Sequence, residues 1–145
     1  MEMQSGILFE GPIRPELVAE LISRASDNLE MGGHSFFLGQ VREDSIDGKI
    51  VTAIDYSAYS SMVEESGARI IEALRSRFPS AGNIVIIHST GIVKAGEISM
   101  LVMVSAPHRR EAIDACNHAV ELIKEQLPVW KKELFGDGTG RWKEN

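Results

Sequence analysis

The chain is short of several things, and each shortage removes a class of function. It has a single cysteine, Cys116, in 145 residues. An internal disulfide or a cysteine-cluster metal site needs more than one. The four histidines, His34, His88, His108 and His118, form no HExxH-type pattern, and His108 and His118 are too far apart for one helical face at i, i+4. Neither a metal nor a cofactor is expected. No apolar run approaches the ~20 residues that span a bilayer, so no membrane role is expected. The opening "MEMQSGILFEG" lacks a basic stretch followed by an apolar block. A secretory signal is therefore not expected, and a cytoplasmic protein is. Basic excess is missing too: 15 Lys and Arg stand against 21 Asp and Glu, a formal net charge of −6. A general nucleic-acid binder usually has the opposite sign, so any basic site must be local.

What is present suits one domain spanning residues 1–145, with an apolar fraction of 43%. "RPELVAELISRA", 14–25, places Leu17, Val18, Leu21, Ile22 and Ala25 on one helical face, and Pro15 fits the first turn. "HSFFLGQV", 34–41, predicts a strand entered through Gly32-Gly33, and "IDGK", 46–49, a turn. "IVTAIDYSAY", 50–59, is a β-branched and aromatic strand. A helix over 60–78 follows, with Ser61 and Glu64 at capping-box spacing and Pro79 as its stop. Segments 83–93 and 97–107 read as an antiparallel hairpin around "KAGE". The helix over 108–127 would bury Ala112, Ala115, Cys116, Ala119, Val120, Ile123 and Leu127. The order αββαββα implies an α+β fold, helices packed on a mostly antiparallel sheet. The glycine-rich tail, about 136–145, reads as flexible, although Trp142 suggests that it docks somewhere.

Three places suggest chemistry. "SAPHRREA", 105–112, sets His108 and Arg109 at the start of a helix, where free N–H groups and the dipole attract anions. Cations there oppose the dipole, a local cost that hints at an anion site unless Glu111 and Asp114 simply offset them. Gln40 and Arg42 stand at a strand end beside Gly39, where backbone can approach a ligand and Arg42 can clamp a phosphate or carboxylate. An exposed arginine before a loop is the plainer account. Finally, "LPVWKKELFG", 127–136, puts Trp130, Lys131, Lys132 and Glu133 just past a helix-ending proline, with Lys124 one heptad before Lys131. Lysine near a helix C-terminus is also an ordinary dipole partner. Two lysines brought close would lower one another's pKa and supply an acid–base or nucleophilic amine. Cys116 reads as a small buried hydrophobe, and His34, His88 and His118 default to structural or surface roles.

Taken together, "GGHSFFLGQVRE", "IDYSAYSSMVEE" and "IIHSTGIVKAGEISMLVMVSAPHRREAIDACNHAVELIKEQLPVWKKE" resemble the large, catalytic subunit of molybdopterin synthases over roughly residues 32–143. The resemblance implies an α/β hammerhead-like fold and a sulfurtransferase. Its substrate would be cyclic pyranopterin monophosphate. Its sulfur would come from the C-terminal Gly-Gly thiocarboxylate of a small ubiquitin-like partner, in a heterotetramer built on a central homodimer. Carried over by position, Gln40, Val41, Arg42, His108, Arg109, Lys132 and Glu133 would contact substrate. Lys124 and Lys131 would do so too and would also be catalytic. On this reading Pro128 turns the chain so that Lys131 meets Lys124, with Trp130 packing the turn from behind. The contrasting expectation is a non-catalytic phospho-ligand-binding or scaffold domain of the same fold.

Overall fold

The structure, a computed structural model, describes residues 6–143. Among the described residues three helices form where the 3.6-residue period is sustained: α1 (Pro15–Ala25), α2 (Ser60–Arg77) and α3 (Arg109–Gln126). Eight strands accompany them: β1 (Leu8–Glu10), β2 (Gly33–Gln40), β3 (Ser45–Ile46), β4 (Lys49–Ser57), β5 (Ile84–Lys94), β6 (Ile98–Ala106), β7 (Trp130–Phe135) and β8 (Gly140–Lys143). They make one sheet in the order β2-β6-β5-β4-β7-β8, with β1 alongside β5 and β3 alongside β4. Every pairing but the parallel β1–β5 is antiparallel, so the expected α+β architecture is met.

The sheet is covered on both faces where β6 crosses it, which explains why β6 reads as a continuous apolar run. Val102 and Val104 point into the cluster built with Val63, Ile70 and Leu74 of α2 and Ala115, Ala119 and Ile123 of α3. Leu101 and Met103 point the other way, to Leu21 and Ala25 of α1. Small residues on α3 let it lie close to the strands, and Cys116 is buried among them.

Four strands were not foreseen, and the expected capping box does not form. Tyr59 is the N-cap of α2 and has no side-chain cap bond. The Glu64 carboxylate instead accepts the backbone N–H of Ile7, at 3.2 Å, tying the entrance of β1 to α2. The expected turn at 46–49 is tighter, Asp47 and Gly48 both having positive φ between β3 and β4.

Two bends position the site. Strand β5 pairs with β6 from Ile84 to His88, then leaves it and pairs with β4 from Gly91 to Lys94. Gly91, at φ 79°, lies at that change of partner. The second bend ends α3. Leu127 precedes Pro128 and is driven to an extended conformation, φ −78° and ψ 118°, so the helix stops at Gln126. The chain reverses and enters the sheet as β7, with Tyr56 opposite Lys131 and Ser57 opposite Trp130. The residues after the proline are thus a central strand of this half of the sheet rather than a surface turn.

Candidate active site

A cavity of about 330 Å³ opens where the C-terminal end of α3 meets β2, β4, β5, β7 and β8. Strand periodicity selects what β7 contributes. Side chains alternate between faces, so Lys131 and Glu133 line the cavity and Lys132 does not. Lys132 lies on the opposite face, its Nζ 5.8 Å from the centre of the Trp142 ring. From α3, one helical stretch before Pro128, comes Lys124. The end of β2 contributes Gln40, Val41 and Arg42. Val41 is buried and anchors that corner: its N–H donates to Glu97 and its carbonyl accepts from Gly96. The ladder slips one register between Gly39 and Gln40. A side chain at position 39 would press on Met100, its Cβ 3.3 Å from the neighbouring Cβ.

The cavity is cationic although the chain is acidic. Arg42, Lys124, Lys131 and Lys143 face Asp44 and Glu133 across it. Both carboxylates are already engaged, Asp44 with Arg42 at 3.5 Å and Glu133 with Arg141 at 3.1 Å. Glu133 is 1% exposed, so its partner is what makes its burial tolerable. Among the described residues the three lysines have no carboxylate within salt-bridge distance. Burial pushes the Lys131 amine below the ordinary lysine range, and the charges of Lys143 and then Lys124 push it further.

His88, expected to be structural or superficial, is buried and also lines the cavity. It is 4% exposed and sits at the last β5–β6 pair before β5 changes partners. Its Nδ1 is 2.9 Å from the Ser89 carbonyl oxygen. A carbonyl only accepts, so Nδ1 carries the proton and Nε2 keeps a lone pair. Tyr56 meets the ring edge-on at 5.0 Å, and the Tyr56 hydroxyl is held 2.9 Å from Ser99 Oγ. Burial lowers the His88 pKa to about 4 against the raising effect of the Ser89 bond, and Lys131 adds to the lowering. The imidazole is therefore neutral at physiological pH. The one visible clue in the sequence was a histidine inside the β-branched run "IVIIHST".

Besides Lys132, two expected residues lie elsewhere. His108 is the N-cap of α3 and Arg109 its first residue, both exposed. Fifteen residues of helix separate Arg109 from Lys124, roughly 22 Å of axis, so within one copy neither reaches the cavity. The N-cap has no side-chain bond. Trp130 does not back the turn; it is 45% exposed and packs edge-on against Tyr59 at 5.8 Å. His34 and His118 are outside the cavity, His34 bonded to Ser105 and His118 beside Phe78. Among the described residues no group of histidine, cysteine or acidic side chains is arranged to hold a metal, and no helix is long and apolar enough to cross a membrane.

The family model described as MoaE protein matches residues 9–126. The chain belongs to that family. It is 41% identical over 116 residues to the molybdopterin synthase catalytic subunit 1 of Aedes aegypti, covering 79% of this chain and 74% of the relative. Some fly relatives are longer, the matched stretch being 33% of the one from Drosophila virilis. A crystal structure of molybdopterin synthase from Staphylococcus aureus superposes with a TM-score of 0.86 at 32% identity, over 99% of this chain and 100% of that one. The fold also recurs, at 16% identity and a TM-score of 0.79, in a complex of subunits 1 and 2 of the molybdopterin-converting factor from Helicobacter pylori, covering 96% of this chain and 90% of that one.

Proposed function

We propose that the chain is the catalytic subunit of a molybdopterin synthase, a sulfurtransferase that converts cyclic pyranopterin monophosphate to the molybdopterin dithiolene. The observation that carries the site assignment is the gathering of Lys124, Lys131 and Arg42 in one cavity of a chain whose net charge is −6. A phosphorylated pterin supplies the anion such a cavity lacks. Arg42 and Gln40 hold it at the β2 end, and Val41 keeps that corner rigid. Lys124 and Lys131 are the catalytic pair. The sulfur comes from the C-terminal thiocarboxylate of a small ubiquitin-like partner whose Gly-Gly tail is thin enough to enter. Sulfur attacks a side-chain carbon of the pterin and forms a C–S bond as a C–O bond at that carbon breaks. A lysine gives the departing oxygen its proton, and water attacks the acyl carbon as the acyl–sulfur bond breaks, releasing the partner's tail as a carboxylate. Two additions consume two partner molecules. Because the partner donates the sulfur, Cys116 can stay buried and uninvolved.

The site is finished by a second copy. Arg109 and His108 stand exposed at the far end of α3 with cations opposing the helix dipole. In a homodimer they meet the phosphate bound by the neighbouring protomer, and a partner subunit at each end makes the heterotetramer. Glu133 acts from the cavity wall beside Lys131, held by its pair with Arg141, and Lys132 acts from the opposite face of β7 through its contact with Trp142.

The test is Lys124→Ala assayed with the precursor and thiocarboxylated partner. Product formation should fall by about two orders of magnitude or more, the usual worth of a positioned proton carrier. Undiminished conversion would remove the catalytic role from Lys124, whereas precursor binding without conversion by the unaltered chain would return it to the reading as a non-catalytic binding module.

A further inference from the structure

Lys143 lies in a tail that reads as flexible by composition, with Trp142 suggesting that it docks somewhere; it occupies the last position of β8 and lines the cavity. The β7–β8 register sets Lys131 directly opposite Lys143, Lys132 opposite Trp142, and Glu133 opposite Arg141. The two faces of this ribbon are arranged differently. On the cavity face Glu133 and Arg141 form an opposite-charge pair, the arrangement that stabilises a ladder. One step along the same face, two ammonium groups are set against each other, the arrangement that destabilises one. A like pair at an exposed hairpin end would ordinarily be relieved by one side chain turning to a carboxylate. Among the described residues none is within salt-bridge distance of either lysine.

We propose that Lys143 is a positioning residue of the active site, placed across the ladder from Lys131 so that its charge makes that amine ready to give up a proton or to take an anion. The inference rests on the functional reading above and deepens it. The direction of the Lys131 pKa agrees, since the charge of Lys143 is the largest contribution after burial itself. The other ionisable groups around Lys131 do not explain the effect away. Lys124 of α3 acts in the same direction but contributes less. Tyr56 of β4 has its pKa raised by burial, which keeps it neutral, and its hydroxyl is committed to Ser99. His88 of β5 is neutral. Glu133 is held by Arg141, and Asp44 by Arg42.

The experiment compares Lys143→Gln and Lys143→Arg with the unaltered full chain. The reactivity of Lys131 toward acetic anhydride is followed from neutral to alkaline pH by mass spectrometry of its peptide. Lys143→Gln should move the midpoint of Lys131 labelling to higher pH, and Lys143→Arg should leave it in place. In the sulfur-transfer assay Lys143→Gln should lower kcat several-fold at neutral pH, with recovery as the pH rises. An unchanged labelling midpoint in Lys143→Gln overturns the proposal, because a purely structural role for β8 would not track charge. Failure of the unaltered chain to convert precursor would sink the enzymatic reading instead, and the labelling result would still decide this one.

Discussion

The two ends of α3 carry similar residues under opposite conditions. At its C-terminal end Lys124 sits where the helix dipole favours a cation, and the chain doubles back through Pro128 to bring Lys131 beside it. At its N-terminal end His108 and Arg109 sit where the dipole disfavours them, exposed and away from that cavity. The first end is assembled within one chain; the second is cationic at a cost and has nothing to act on unless another molecule approaches. On the proposed reading, similar residue types mark a finished site at one end and half of one at the other, and only the surroundings tell them apart.

The sharpest way to break that comparison is to inactivate each end separately. Lys131→Ala should lower precursor conversion by about 10²–10⁴-fold while leaving the circular dichroism spectrum unchanged. Arg109→Ala should also be impaired, through phosphate binding. Equal amounts of the two variants, allowed to exchange subunits, should recover about a quarter of native activity, because half the dimers are hybrids and one of their two pockets is intact. No recovery would mean that the N-terminal end of α3 serves no neighbouring pocket.

A smaller effect should come from the neutral imidazole beside Lys131. The folded pKa of His88 is about 4 against about 6.5 when unfolded, so the unfolded chain binds the extra proton first as the pH falls. Stability from this residue is intact above about pH 6.5 and is lost progressively down to about pH 4, by about 3 kcal/mol in all. Urea midpoints measured across that range should flatten in His88→Gln relative to the unaltered chain. An equal slope in both would show that His88 is not kept neutral by the fold. The smallest effect belongs to Trp130, outside the cavity. Trp130→Ala should remove one edge-on aromatic contact, lowering the unfolding free energy by about 1 kcal/mol and leaving kcat unchanged.

What could be read from the residues depended on how local the cause was. The three helices were placed to within a residue or so because their apolar spacing, and Pro79 and Pro128, act over a few neighbours. The β5–β6 hairpin was legible for the same reason. Strand β7 was not, because "WKKELF" has two lysines and a glutamate in six residues, and its strand character comes from pairing with β4, about eighty residues earlier. The Ser61–Glu64 box failed because a distant backbone N–H, that of Ile7, competed for the same carboxylate. At the site, Lys124, Lys131, Arg42 and Gln40 were named in advance and do share a cavity. His88 and Lys143 were passed over because burial and cross-strand register, the properties that matter for them, are set by other parts of the chain.

The unbroken length of α3 has a genetic consequence. A helix turns about 100° per residue, so a one-residue insertion or deletion between Arg109 and Gln126 would swing one end a quarter-turn or more relative to the other. On the proposed reading, natural variation in this stretch should therefore consist of exchanges of side chain and never of changes in length, with the helix as a ruler between two chemical stations.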